Sequence, residues 1–300
     1  MAKPTDVRGL SARSALATAG PLLLRARLRD ALRHGARLER PGAPDPDAVH
    51  DLRVALRRLR SALRLLGGPE QVAREPEVKA LQDALGVVRD LQVERAWLRG
   101  LPPGAVDPAA RRALAAWGER SLVRAGGELD RAFRTWRGRT VPSLRRALVG
   151  QGGRGRLGGP AVARSVRDQL RRLERRLERA RARLTPRRAH RLRVAVKEAR
   201  YLVELVAPAF AGPAGRTLAE LVPLQEGLGE LHDTDVRVVR LARRVVAGAA
   251  PARSGAASLL RSVRRDRRRR ERDLRGALDR WHLARRVRAL RRSFRPGRAR

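Results

Sequence analysis

The chain has 300 residues, 42% of them hydrophobic, which is enough for a packed core and for one large domain or two of ordinary size. Its 70 basic and 30 acidic residues leave a formal net charge of +40, which attracts polyanions such as nucleic acid, polyphosphate or an anionic membrane. The absence of cysteine excludes disulfides, thiolate catalysis and cysteine-based metal sites, and no apolar run reaches the roughly 18 residues of a membrane span.

Helical periodicity predicts four helices in each half of the chain. They cover residues 11–39, 47–66, 75–98 and 108–149 in the first half, and 161–184, 187–209, 214–246 and 254–292 in the second. The alternating runs that would predict strands are missing, and the chain contains no isoleucine. We therefore predict an all-α fold of two four-helix bundles, in domains 11–149 and 161–292. The glycine-rich stretch 150–160 is typical of a flexible linker, and residues 293–300 form a basic tail.

Two segments of the chain occur twice, in the same order. VHDLRVALRRLRSALRLL (Val49–Leu66) is similar to AHRLRVAVKEARYLVELV (Ala189–Val206), and ALQDALGVVRDLQV (Ala80–Val93) is similar to PLQEGLGELHDTDV (Pro223–Val236). Two matched blocks at nearly equal spacing are hard to obtain by chance, even in a chain this rich in arginine. The two halves are therefore predicted to be a duplication.

The first repeated segment carries a row of basic residues beside its apolar face. The row is His50, Arg53, Arg57, Arg60 and Arg64 in the first copy, and His190, Arg193, Lys197 and Arg200, followed by Glu204, in the second. Steps of three and four place each row on one side of a helix. Like charges at this spacing destabilise a free helix by roughly 0.2–0.5 kcal/mol per pair, so the row has no structural advantage unless anions lie against it. A solvated arginine face is the alternative for either helix alone, whereas recurrence of the row favours an anion site.

The second repeated segment has a glycine and an aspartate on its polar side. They are Gly86 and Asp90 in the first copy, and Gly229 and Asp233 in the second. A glycine in mid-helix costs roughly 0.5–1 kcal/mol relative to alanine and usually marks the close approach of another helix or a ligand. The aspartates are candidates to anchor arginines of the basic rows. Pairing within their own helix, or a plain contact between helices, is an equal alternative.

On these four strings the sequence resembles the CHAD family, the conserved-histidine α-helical domains. The resemblance runs from about residue 11 to residue 292. It implies two four-helix bundles related by a pseudo-twofold axis, with a basic channel between them. It also implies binding of inorganic polyphosphate without catalysis by the domain itself.

The match nominates polyphosphate-binding residues in both halves. They are His50, Arg53, Arg57 and Arg60 in the first, and His190, Arg193, Lys197 and Arg200 in the second, with Arg64, Lys79 and Arg89 as weaker candidates. Glu204 stands where the first copy has Arg64, and Glu198 where it has Arg58. These departures predict that the first half binds the polymer more strongly than the second.

Other functions are tested by motifs and aromatic content. Phosphate-loop and HExxH motifs are absent, so no catalytic residue, metal site or cofactor is predicted. Nonspecific binding of nucleic acid at low salt is the main alternative, although aromatic residues, which single-strand binders use for stacking, make up only 3%. We expect Trp97, Trp117, Trp136 and Trp281 to belong to the core. The run RRDRRRRERD (Arg264–Asp273) is either a patch that binds nucleic-acid backbone or a solvated helix face.

A third alternative is a scaffold that uses polyphosphate binding to reach storage granules. In either polyphosphate interpretation the expected location is the cytoplasm, with polyphosphate granules as a candidate site.

Overall fold

The computed structural model describes residues 3–39, 44–148, 153–280 and 283–295. Its helices are α1 (Leu16–Ala36), α2 (Pro46–Leu66), α3 (Pro69–Val72), α4 (Glu75–Arg99), α5 (Pro108–Thr135), α6 (Val141–Ala147), α7 (Pro160–Ala182), α8 (Pro186–Val206), α9 (Ala211–Ala247), α10 (Ala250–Arg280) and α11 (Leu283–Ser293). No strand occurs in these ranges, which confirms the predicted all-α fold. Within the same ranges, no helix is both long enough and apolar enough to cross a membrane.

The twin helices α2 and α8 begin at similar signals. The side chain of Asp45 caps α2 by accepting a hydrogen bond from the backbone N–H of Asp47 at 3.0 Å, and Pro46 occupies the first turn. The side chain of Thr185 caps α8 by accepting from the backbone N–H of Arg188 at 3.2 Å. Such caps satisfy N–H groups that have no partner within the helix. Both helices therefore start just before their histidines.

The apolar faces of α2 and α8 lie in one hydrophobic core. Leu52 and Leu56 of α2, and Leu192 and Val196 of α8, are fully buried. The cluster to which they belong continues through both halves of the chain. A smaller cluster joins the end of α4 and the start of α5 to α9 and α10. The core of the protein is thus shared between the halves.

Packing partners follow the same order in each half. Helix α2 packs against α1 and α4, α4 packs against α5, and in the second half α8 packs against α7 and α9, and α9 against α10. Helices α2 and α8 also contact each other directly. This order is what the predicted duplication requires. The duplication and its pseudo-twofold axis remain predictions.

The predicted fourth helix of each half is divided in the structure. Helix α5 ends at Thr135, a π-helical turn spans Trp136–Thr140, and α6 ends at Ala147. The hydroxyl of Thr140 donates to a Glu77 carboxylate oxygen at 2.8 Å, which ties this turn to α4. In the second half, α10 and α11 replace the single helix predicted at 254–292. Residue 149 and residues 281–282 lie outside the described ranges.

The part of the predicted linker that the structure describes, residues 153–159, is held in place. The backbone N–H of Leu157 donates to the carbonyl of Ser14 at 2.9 Å, and that of Gly158 to the carbonyl of Ala12 at 2.9 Å. Leu157 is itself fully buried. The first helix accordingly starts at Leu16 rather than at residue 11. Linker residues 150–152 and tail residues 296–300 lie outside the described ranges.

Candidate anion-binding site

Four basic side chains of the twin helices, which contact each other, influence one another electrostatically. Arg53 and Arg57 come from α2, and Arg193 and Lys197 from α8. The charge of Arg57 lowers the pKa of each of the other three, which places all four in one electrostatic environment. None of the four forms an ion pair with a residue that the structure describes. We call these four residues the central basic cluster.

Partial burial makes the repulsion within the central basic cluster severe. Burial, and then the charge of Arg57, lower the pKa of Arg53 to about 10. Burial, followed by the charges of Arg57, Arg193 and Arg53, lowers the pKa of Lys197 to about 5. Keeping these side chains protonated in the folded protein costs free energy, because both desolvation and the neighbouring like charges oppose the protonated form. A polyanion against the cluster would remove that cost.

Two equivalent arginines also have an unsatisfied donor. The Nε atoms of Arg53 and Arg193 are buried, and neither has a hydrogen-bond partner among the described residues. A buried donor without a partner costs roughly 1–3 kcal/mol. The two positions match in the repeated segments, so the same unsatisfied group occurs on both helices. An acceptor oxygen that reached both atoms would satisfy them together.

Gly86 provides the space that Arg53 occupies. A Cβ atom at residue 86 would lie 3.1 Å from Nη2 and 3.4 Å from Cζ of the Arg53 guanidinium group. This contact accounts for the glycine in the middle of α4, since any larger side chain would displace the guanidinium group. At Gly229, the matching residue of α9, no atom lies within 4 Å of such a Cβ. The close approach is therefore present in the first half alone.

The two aspartates act on the central basic cluster through longer-range attraction. Burial and like charges lower the pKa values of Arg53, Arg193 and Lys197, and the charge of Asp90 on Arg53 and of Asp233 on the other two offsets part of that lowering. Neither carboxylate is in a direct ion pair with a cation in the described ranges. Burial raises the pKa of Asp233 itself. The predicted anchoring is thus an electrostatic influence rather than a salt bridge.

Histidines lie at the edge of the cluster in both halves. Burial and the charge of Arg89 lower the pKa of His50, and burial with Arg193 lowers that of His190. The ring of His190 lies 5.6 Å from the ring of His232, whose pKa is lowered to about 3 by burial and by Arg193. His232 was absent from the predicted site. It could have been found, because it matches the candidate Arg89 in the second repeated segment.

The outer members of the first row are paired with acids. Nε of Arg60 lies 2.5 Å from Oε1 of Glu75, and its Nη1 donates to Gln82 at 2.9 Å. Arg64 contacts the same Glu75 oxygen at 2.7 Å and Glu198 at 3.5 Å. These arginines are neutralised locally, whereas Arg53 and Arg57 are not.

The outer member of the second row is neutralised as well. Glu204 lies 2.8 Å from Nε of Arg200 and 2.9 Å from Nε of Arg58. Arg58 belongs to α2, so this carboxylate links the two halves of the chain. The guanidinium group of Arg58 also lies 5.9 Å above the ring of Tyr201. The departure at Glu204 from the basic row is therefore part of the packing between α2 and α8.

The two weaker candidates on α4 have bonding partners outside the central basic cluster. Lys79 is exposed and forms an ion pair with Asp83 of its own helix. Nη1 of Arg89 donates to the carbonyl oxygen of Pro46 at 3.3 Å, at the start of α2. Arg89 is thus near His50, and Lys79 is on the outer surface.

The tryptophans that the structure describes do not form a row of exposed rings on which bases could stack. Trp136 is buried, as predicted for a core residue. Trp97 and Trp117 are half-buried, and an arginine guanidinium group lies over each ring at 5.3 and 4.2 Å respectively. Trp281 lies outside the described ranges. Successive bases of a single strand would find no aromatic path here.

Three of the seven arginines in the run at Arg264–Asp273 are paired with acids, namely Arg267, Arg269 and Arg270. Arg267 lies 2.6 Å from both Asp235 and Glu271, and Arg270 contacts Asp266 at 2.9 Å. The run is thus only partly salt-bridged: Arg264, Arg265, Arg268 and Arg272 are exposed and form no ion pair with a described residue.

Comparisons with known proteins place the chain in a family. The model of the CHAD domain matches residues 22–242. The crystal structure of the CHAD domain from the plant Ricinus communis has a TM-score of 0.59 and 24% identity, and the match covers 100% of this chain and 98% of that chain. PptA from Streptomyces chartreusis has a TM-score of 0.56 and 18% identity, and the match covers 94% of this chain and 99% of that chain. A search of curated protein sequences finds no match. The protein belongs to the CHAD domain family.

Proposed function

We propose that the protein binds inorganic polyphosphate at the central basic cluster, without catalysing a reaction. The observation that carries the proposal is the unpaired state of the cluster: two basic residues of α2 and two of α8 share one electrostatic environment, and no described acid forms an ion pair with them. The buried Nε atoms of Arg53 and Arg193 add two hydrogen-bond donors in matching positions. Membership of the CHAD family supports the same ligand.

Polyphosphate suits this cluster because it carries negative charge on every phosphate and has no bases. Arginine binds phosphate through two parallel charge-assisted hydrogen bonds, and it stays protonated. The polymer would also relieve the repulsion that lowers the pKa values of Arg53 and Lys197. Much of the affinity should come from released counterions, so it should fall steeply as salt is added.

The histidines and the outer arginines have secondary roles in this proposal. His50, His190 and the unpredicted His232 gain protons when the polymer lies beside them, because an adjacent anion favours their charged form. Arg60 and Arg200 position the helices through their acids and contact the polymer only if those pairs open. Each row keeps two basic residues without an ion pair, so the stronger binding expected for the first half remains a prediction.

Nonspecific nucleic-acid binding remains the rival interpretation, together with a scaffold at polyphosphate granules in the cytoplasm. The net charge of +40 favours some attraction to any polyanion. The rings of Trp97 and Trp117, each covered by an arginine, speak against a dedicated single-strand site, which would need successive open aromatic faces.

Charge reversal of the matching arginines tests the proposal. We expect Arg53→Glu with Arg193→Glu to abolish polyphosphate binding and to leave helicity, measured by circular dichroism, intact. The matched control is Arg264→Glu with Arg268→Glu, which changes the net charge equally at two exposed residues of α10. Equal losses in both double variants would contradict a defined site and indicate diffuse attraction.

A further inference from the structure

A second cleft lies between the segment that follows α4 and the helices α9 and α10. It has a volume of about 870 Å³ and shares no lining residue with the central basic cluster. Its apolar lining consists of Leu101, Pro102, Ala105, Leu259 and Val263. Sites for small ligands are typically clefts of roughly 300–1,000 Å³.

The polar lining of this cleft is strongly cationic. The arginines that line it are Arg237, Arg261, Arg265, Arg269 and Arg272, against the single carboxylate of Asp266. Asp266 is already engaged, at 2.6 Å from Arg269 and 2.9 Å from Arg270. The exposed side chains of Arg261, Arg265 and Arg272 have no ion pair within the described part of the chain. The rim thus offers unneutralised arginines to an anion.

In one wall of the cleft an arginine lies over an aromatic ring. The guanidinium group of Arg237 lies over the ring of Trp97, 5.3 Å from its centroid. Nε of Arg237 is buried and has no hydrogen-bond partner among the described residues. A guanidinium plane backed by an aromatic ring can accept a stacked base, as arginine does in many nucleic-acid sites. The wall therefore suits a flat aromatic group, and the rim suits phosphate.

We propose that this cleft is a second ligand site, which binds a nucleotide by stacking its base on Arg237 and holding its phosphates with Arg261, Arg265 and Arg272. Polyphosphate would use the rim and leave the apolar lining and the stack without a partner. A single strand of nucleic acid needs several platforms in succession, whereas the cleft has one. The site stands apart from the polyphosphate proposal, because neither its residues nor its evidence are shared with it.

The test compares ADP, pyrophosphate and a short oligoadenylate by titration calorimetry with the full chain. ADP should bind more tightly than pyrophosphate by about tenfold, the contribution expected from one stacked base. Arg265→Glu with Arg272→Glu should weaken ADP binding by at least about tenfold, because the variant removes charge-assisted hydrogen bonds to phosphate. The matched control, Arg264→Glu with Arg268→Glu, reverses two exposed arginines of the same helix that do not line the cleft.

The proposal holds if the control binds ADP like the natural chain and only the cleft variant loses the preference for ADP over pyrophosphate. It is overturned if ADP binds no better than pyrophosphate, or if both double variants weaken ADP binding equally. It is also overturned if oligoadenylate binds far more tightly than ADP and depends on the same arginines, because the cleft would then be part of a path for nucleic acid. Polyphosphate binding, measured in parallel, should survive in the cleft variant, so failure of one proposal is distinguishable from failure of the other.

Discussion

Gly86→Ala should separate binding from stability in this protein. The added Cβ would lie 3.1 Å from Nη2 of Arg53, which is closer than ordinary contact, so the guanidinium group must move by a few tenths of an ångström. Arg53 would then no longer have the aligned geometry that a charge-assisted hydrogen bond to phosphate needs. Removal of one such hydrogen bond corresponds to about a tenfold weaker affinity for polyphosphate. Alanine is also favoured over glycine in mid-helix by roughly 0.5–1 kcal/mol, so the variant should fold at least as well as the natural chain.

Gly229→Ala is the matched control, because it makes the same change at the corresponding position of α9. No atom lies within 4 Å of the Cβ that it would add, so it should gain helix stability without a decrease in affinity. Both variants are assayed by thermal unfolding and by titration with polyphosphate of one chain length. The reasoning is refuted if Gly86→Ala binds as tightly as Gly229→Ala, since the placement of Arg53 over the glycine would then be irrelevant to binding.

Three further predictions concern buried charge. Glu204→Gln should lower the free energy of unfolding by roughly 3 kcal/mol, because it leaves two buried arginines without this acid. Glu198→Gln, which removes an exposed ion pair, should lower it by under about 1 kcal/mol. Equal decreases in denaturant titrations would refute this reasoning. Lys197 has a pKa of about 5 in the fold against an ordinary 10.5, so the unfolded chain binds more protons between those values and the free protein should gain stability as pH rises across them. Lys197→Met should therefore stabilise the free protein at pH 7 and flatten this pH dependence, whereas Lys79→Met, at an exposed and paired lysine, should do neither. Finally, polyphosphate binding at pH 7 should take up protons at Lys197 and His232, seen as a calorimetric heat that varies with the ionisation enthalpy of the buffer; a heat independent of the buffer would contradict it.

Features set by short-range periodicity were accessible from the sequence. The apolar period predicted the buried face of α2, which includes Leu52 and Leu56, and the same period placed Arg53 and Arg57 beside it. Each of these features depends on residues within one or two helical turns of each other.

Features set by contacts between distant helices were not accessible. Arg60 occurs in the same row as Arg53, yet Glu75 neutralises it from a different helix. Glu204 appeared to weaken the second row, whereas in the structure it joins α8 to α2 through Arg58. Which cations of a row stay unpaired is decided by the tertiary arrangement, and spacing along one helix carries no information about it.

The division of α5 from α6 belongs to the same class. The sequence around Trp136–Thr140 keeps a helical pattern, and the structure inserts a π-helical turn there. Thr140 is buried and bonded to Glu77, so the turn is fixed by a partner on α4. The hydrophobic pattern of the segment itself gives no information about Glu77, because that residue lies on a different helix.

Competition between polyanions tests the central claim most directly. Protein bound to long-chain polyphosphate would be challenged with duplex DNA and single-stranded RNA, at equal phosphate concentration and about 150 mM salt, where charges are screened beyond roughly 8 Å. The account predicts that polyphosphate stays bound in a large excess of either nucleic acid, because the central basic cluster fits a chain of phosphates without bases. Displacement phosphate for phosphate would contradict it and make the protein a general binder of polyanions.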